Sequence, residues 1–197
     1  MKKYFPVLEY INIPNLITTL GLVWGVFACY HLIGGNLRAA IICMFFATFM
    51  DLIDGYLANV LDRKTRFGHY MDSLVDFFIC CILPMLMAYV FVGNDPILVF
   101  AFVFYCAGGL WRLAYYNITS AEKQSYFTGL PVPGAMLCVV MVIWSAVNYD
   151  IPAWACTAVF FITGLLMISF IRMKKYGTCQ KILWLIWMGF FAVLMMS

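Results

Sequence analysis

The chain has 197 residues, 65% of them hydrophobic and 11% charged, with twelve Lys or Arg, nine Asp or Glu and a formal net charge of +3. A soluble domain carries about 25% charged residues and cannot absorb this much apolar surface, so an ordinary soluble globule is excluded and a polytopic membrane protein of one domain is expected. The small net charge and the lack of a basic run exclude a nucleic-acid footprint.

In chain order, residues 1–14 mix basic, aromatic and aliphatic types before Pro14 and read as a segment lying on the membrane surface. No cleavable signal peptide is read there, because no small-residue cleavage pattern follows the first apolar run. Spans of roughly 20 apolar residues are then expected near 15–33, 38–61, 69–92, 97–118, 130–148 and 153–172, with a shorter seventh run at 181–196. Gly34-Gly35-Asn36, Gly93-Asn94-Asp95-Pro96 and Asn148 to Pro152 mark breaks between them. The expected fold is all-α and integral to the membrane, with a six-span core at 15–172 and an added C-terminal span. With the N-terminus inside, eleven of the twelve basic residues fall on the inner side and only Arg38 on the outer. That bias places the N-terminus and the 51–76 stretch on the cytoplasmic side of the inner membrane. The eight cysteines sit mostly inside apolar runs and form no C-x-x-C pair, so they read as small apolar side chains.

Five of the nine acidic residues lie between Asp51 and Asp76. A carboxylate at membrane depth costs a few kcal/mol, so such a cluster needs a reason. On a helix, taking Asp51 as zero puts Asp54 at about −60°, Gly55 at about +40° and Ala58 at about −20°, all on one face. Asp72 and Asp76 are four apart and stack one turn above the other. The second and third spans run antiparallel, so their facing stripes can bring Asp51, Asp54, Asp72 and Asp76 together. Carboxylates at close range repel. Divalent cations resolve this, and hard oxygen ligands suit Mg²⁺, Mn²⁺ or Ca²⁺. Two such ions can hold a phosphate and leave one carboxylate as base. Small Gly55 and Ala58 would let a polar ligand reach the helix, and Gly68 permits a close approach of the loop.

These residues resemble the CDP-alcohol phosphatidyltransferases, whose pattern D-x2-D-G-x2-A-x9-G-x3-D-x3-D is matched by Asp51, Asp54, Gly55, Ala58, Gly68, Asp72 and Asp76. The family has Arg directly after the Ala, where this chain has Asn59. The resemblance implies that the four Asp bind two divalent cations, Mg²⁺ or Mn²⁺, and that Asp76 is the base on an alcohol that attacks a CDP-activated lipid and releases CMP. It implies a nucleotide pocket of Asp51, Gly55, Ala58 and Thr65, with Asn15 and Thr18 of a P-N-x-x-T element. It also implies a homodimer. Arg63, Lys64 and Arg66 beside the site are expected to clamp the diphosphate or attract anionic lipid heads.

Arg112-Leu113-Ala114-Tyr115-Tyr116-Asn117 and Phe127-Thr128-Gly129-Leu130-Pro131-Val132-Pro133 resemble elements of the phosphatidylserine synthases of that family, with Tyr115 where a second Arg would stand. Arg112 offers a forked donor to a carboxylate. Arg112, Gly129, Leu130 and Pro131 are therefore the expected serine-binding residues. The expected reaction moves a phosphatidyl group from CDP-diacylglycerol to L-serine. Glycerol 3-phosphate or an inositol acceptor, or an ether-lipid donor, would use the same chemistry. A cation channel or transporter needs polar groups across the whole bilayer, and here the acids gather at one side. A lipid-binding protein without turnover is the remaining expectation, raised by Asn59.

Overall fold

The computed structural model describes residues 6–62, 65–119, 126–174 and 178–196. It is an all-α bundle with the composition of an integral membrane protein. A short 3-10 turn, Pro6–Tyr10, precedes α1, Ile13–Ile33. The α1 start is built from Asn12, whose side chain accepts the Asn15 N–H at 2.8 Å, and from Pro14 in the first turn. Gly35 at φ +72° turns the chain, and Asn36 caps α2, Leu37–Val60. The α1–α2 hairpin is the most extensive helix pair in the fold, drawn close where Gly21 faces the Ala47 carbonyl.

The third crossing spans Arg66–Phe91 and contains a register change that the sequence reading did not foresee. It comprises α3, Arg66–Phe77, a π turn at Phe78–Ile82, and α4, Leu83–Phe91. Pro84 explains it. Proline has no N–H to offer the carbonyl four residues back and its ring crowds that carbonyl. The residue four back is Cys80, and its carbonyl instead accepts the buried Tyr105 hydroxyl at 2.8 Å. Tyr105 thus partners a carbonyl that has lost its i+4 N–H in an apolar interior.

Next come α5, Pro96–Thr119, α6, Val132–Tyr149, and α7, Ala153–Met167. Helices α5 and α7 pack through glycines: a Cβ on Gly108 would stand 2.9 Å from the Gly164 carbonyl. Among the described residues, five helical stretches are long and apolar enough to cross a membrane, and the apolar stretches Ala153–Met167 and Ile182–Met196 are shorter. The sixth expected span, 153–172, is therefore helical only to Met167. Beyond it the chain forms a three-residue strand, β2 (Arg172–Lys174), antiparallel to β1 (Tyr126–Thr128). This ribbon ties the connection before α6 to the one after α7. The last helix, α8, covers Thr178–Met196. It runs antiparallel to α2: Phe191 stacks on Phe45 at 4.0 Å, and Arg38 donates to the Met195 carbonyl at 3.1 Å. The expected 181–196 run thus reaches the Arg38 end of the bundle, opposite the acidic end.

Candidate active site

The acidic residues occupy the second half of α2 and the second half of α3. Carboxylate oxygens of Asp51, Asp72 and Asp76 all lie within 4.8 Å of one another. Asp54, on the next turn of α2, is turned toward α1, where the Thr18 hydroxyl donates to its Oδ2. The same hydroxyl lies 3.2 Å from the Pro14 carbonyl. Among the described residues, Asp51, Asp54, Asp72 and Asp76 are one another's charged neighbours. Asp72 has His69 as an additional neighbour. Four acids whose charged neighbours among the described residues are chiefly each other form a hard-oxygen donor set. That set fits a divalent cation, which offsets a repulsion the apolar surroundings would otherwise enlarge.

A cavity of about 240 Å³ opens onto three of these acids. Its wall includes Asp51, Asp72 and Asp76, then Arg112 and Tyr116 of α5, then Pro131 and the start of α6. Arg112 is buried, and its Nε donates to the Leu130 carbonyl at 3.3 Å. Leu130 is itself fixed, its N–H bonding the Leu166 carbonyl at 2.9 Å. Gly129 adopts φ +79°, and its N–H bonds the Ile171 carbonyl at 2.8 Å. A Cβ there would lie 2.2 Å from the Met167 carbonyl oxygen, so only glycine lets this turn sit against the end of α7. Of the four expected serine-binding residues, Arg112 and Pro131 therefore line the cavity. Gly129 and Leu130 form the turn behind Arg112.

The expected nucleotide residues fall into two groups. Asn15 is buried, and its Nδ2 donates to the Tyr10 carbonyl at 2.8 Å. Thr65 caps α3 by accepting the Gly68 N–H at 3.0 Å. A Cβ on Gly68 would come 2.7 Å from Asn15 Oδ1, so this glycine lets α1 and α3 meet beside Thr65. Tyr10 stacks on Phe67 at 4.6 Å and carries the N-terminal turn onto the same place. Gly55, in contrast, is exposed with open space where a Cβ would be, and Ala58 is half-buried on the same helix. Asn59 bends back so that its Nδ2 donates to the Gly55 carbonyl at 2.8 Å. Arg66 is exposed on the first turn of α3, and Arg63 and Lys64 lie outside the described residues.

The sequence reading did not anticipate three features of this site. Thr48 and Tyr116 line the cavity, and so do Leu183, Trp184 and Trp187 of α8. The signal for α8 is an aromatic series at 184, 187 and 191, spaced to share one helical face. Asn117 accepts from the Ser73 hydroxyl at 3.0 Å and links α5 to α3 between the two acids, Asp72 and Asp76.

The family profile described as CDP-alcohol phosphatidyltransferase matches residues 11–191. The chain is 30% identical over 131 residues to a CDP-diacylglycerol–serine O-phosphatidyltransferase of Bacillus subtilis, covering 66% of this chain and 73% of that one. It is 27% identical over 178 residues to the protein of the same name from Helicobacter pylori, covering 87% and 74%. It is 31% identical over 138 residues to an archaetidylserine synthase of Methanothermobacter thermautotrophicus, covering 68% of this chain and 58% of that relative.

Proposed function

The chain belongs to the CDP-alcohol phosphatidyltransferase family, and from that premise we propose that it transfers the phosphatidyl group of CDP-diacylglycerol to the hydroxyl of L-serine, giving phosphatidylserine and CMP. The observation that carries this reading is one cavity holding the Asp51–Asp72–Asp76 cluster and a buried Arg112. Serine brings a hydroxyl, an ammonium and a carboxylate to such a place. The Bacillus and Helicobacter relatives carry the name of this activity.

Asp51, Asp54, Asp72 and Asp76 are the groups that would hold two divalent cations, Mg²⁺ or Mn²⁺. Cations bound there supply charge neutralisation to the diphosphate and to the departing CMP. Asp76 accepts the serine hydroxyl proton. The serine oxygen bonds to the β-phosphorus, and the bond from that phosphorus to the CMP oxygen breaks, so CMP leaves with the bonding electrons. Arg112, held in place through its Nε on the Leu130 carbonyl, meets the serine carboxylate with its guanidinium. Pro131 closes the pocket beside it, and Gly129 and Leu130 hold the arginine's aim. Asn15, Thr18, Asp51, Gly55, Ala58 and Thr65 receive the nucleotide, and Arg63, Lys64 and Arg66 meet the diphosphate or lipid head. Residues 1–197 act as one membrane domain, a homodimer in the inner membrane with this site facing the cytoplasm.

The test is CMP release by purified protein given CDP-diacylglycerol, Mg²⁺ and one acceptor at a time from serine, glycerol 3-phosphate and inositol. CMP with serine alone, and phosphatidylserine by thin-layer chromatography, is the expected result. Release with another acceptor instead, or cation flux in liposomes without CMP, overturns it. Asp76→Asn with metal present removes turnover, and near-normal turnover would take Asp76 out of the base role.

A further inference from the structure

In an uninterrupted α-helix, Asp76, Leu83 and Met87 would stand at i, i+7 and i+11 and share one face. Leu83 and Met87 are wholly buried in the core. Asp76 instead meets Asp51 and Asp72 at the cavity. The π turn at Phe78–Ile82, which follows Asp76, accounts for the difference. Its closing bond runs from the Leu83 N–H to the Phe78 carbonyl, five residues back, so it holds one residue more than an α turn. One residue is about 100° of helix rotation. With Leu83 and Met87 kept in the core and the extra residue taken up into a regular helix, α3 would turn by about 100°. Asp72 and Asp76 would then leave the face they present to Asp51.

The neighbouring helices are cut to fit this turn. On α1, a Cβ at Gly25 would stand 3.0 Å from the Phe78 ring and 3.2 Å from Ile79 Cγ1. On α5, a Cβ at Gly109 would overlap the Cys81 sulfur. Pro84 denies the Cys80 carbonyl the N–H that would close an α turn. The Tyr105 hydroxyl donates to that carbonyl at 2.8 Å. Tyr105 is itself firmly placed: it is wholly buried, Phe160 meets its ring edge-on at 5.1 Å, and its Cα lies against Gly164 of α7. Pro84 removes the competing bond, and Tyr105 supplies one from another helix.

We propose that Tyr105 is a positioning residue for the acidic site: its bond to the Cys80 carbonyl holds the π turn, and the π turn keeps Asp72 and Asp76 facing Asp51. Cys80 is four residues beyond Asp76, about 6 Å along the helix axis, so Tyr105 acts on the acids through the backbone. The role rests on the reading above, in which the acids hold divalent cations.

The experiment titrates Mn²⁺ alone, with no lipid and no acceptor, into full-length protein in detergent. Free Mn²⁺ is read from its electron paramagnetic resonance signal, and the melting temperature of each protein is taken without metal. Tyr105→Phe keeps the ring and loses the bond. It should melt lower than wild type and bind Mn²⁺ about tenfold more weakly. Adding Pro84→Ala to that variant gives the Cys80 carbonyl an N–H and lets the helix close as an α turn. The double variant should melt close to wild type and still bind Mn²⁺ weakly. Pro84→Ala alone, with Tyr105 in place, should bind Mn²⁺ as wild type does. A Tyr105→Phe protein with wild-type Mn²⁺ affinity overturns the proposal. So does a double variant that recovers Mn²⁺ affinity together with its melting temperature, the mark of a hydroxyl that serves stability alone. That second comparison stands even when the single variant does not fold. A wild type that binds no Mn²⁺ is a distinct result, which removes the cation reading itself and this proposal with it.

Discussion

Gly129→Ala is the perturbation that most directly links backbone geometry to the site. Two costs add. The left-handed backbone at φ +79° costs a residue with a Cβ about 1–2 kcal/mol. The new methyl would also start 2.2 Å from the Met167 carbonyl oxygen, a backbone atom that cannot rotate away. Overpacking of that kind costs about 1–3 kcal/mol, which brings the sum to roughly 2–5 kcal/mol. For a chain of this size that corresponds to a fall of roughly 5–15 °C in melting temperature. Gly35→Ala is the matched control. Gly35 sits at φ +72° with nothing within 4 Å of the Cβ position, so it carries the backbone cost alone. The assay is thermal melting of both purified variants in detergent, followed by serine saturation kinetics of the fraction that remains folded. Gly129→Ala should melt well below Gly35→Ala. It should also raise the KM for serine, because the displaced turn carries the Leu130 carbonyl that aims Arg112. Equal melting of the two variants would refute the packing of this turn against α7. An unchanged serine KM would refute its part in positioning Arg112.

Thr18→Val removes the hydroxyl that holds Asp54 while keeping the shape, and the Mg²⁺ concentration for half-maximal activity should rise roughly 10–100-fold. Thr18→Ser should restore it, and a magnesium titration of both variants checks this. Chelation with EDTA should abolish CMP release, with recovery on adding Mg²⁺ or Mn²⁺ and no recovery from a monovalent salt at equal ionic strength. Arg112→Lys keeps the charge but loses the Nε bond to Leu130 and the forked donor. The serine KM should rise at least tenfold with little change in the affinity for CDP-lipid, measured by serine titration and lipid binding side by side.

Much of this protein was legible in the order of its residues. Apolar runs set the approximate limits of the five membrane-length helices among the described residues, since a bilayer demands a minimum apolar length whatever the helices later touch. The four- and three-residue spacings of Asp51, Asp54, Asp72 and Asp76 set which faces are acidic, because helical geometry is local. Contacts between helices were decided only in three dimensions. Packing gathers Asp51, Asp72 and Asp76 and turns Asp54 toward Thr18, a partner 36 residues away. The relief that Tyr105 brings to the Cys80 carbonyl and the anchoring of Arg112 on Leu130 depend on which helix turns come opposite one another. So does the wall that α8 builds with Trp184 and Trp187, residues that by sequence alone look like any aromatics facing lipid. Spacing along one helix is a property of the chain, whereas the partner across the gap is chosen by the close fit of whole helices, which no short stretch encodes.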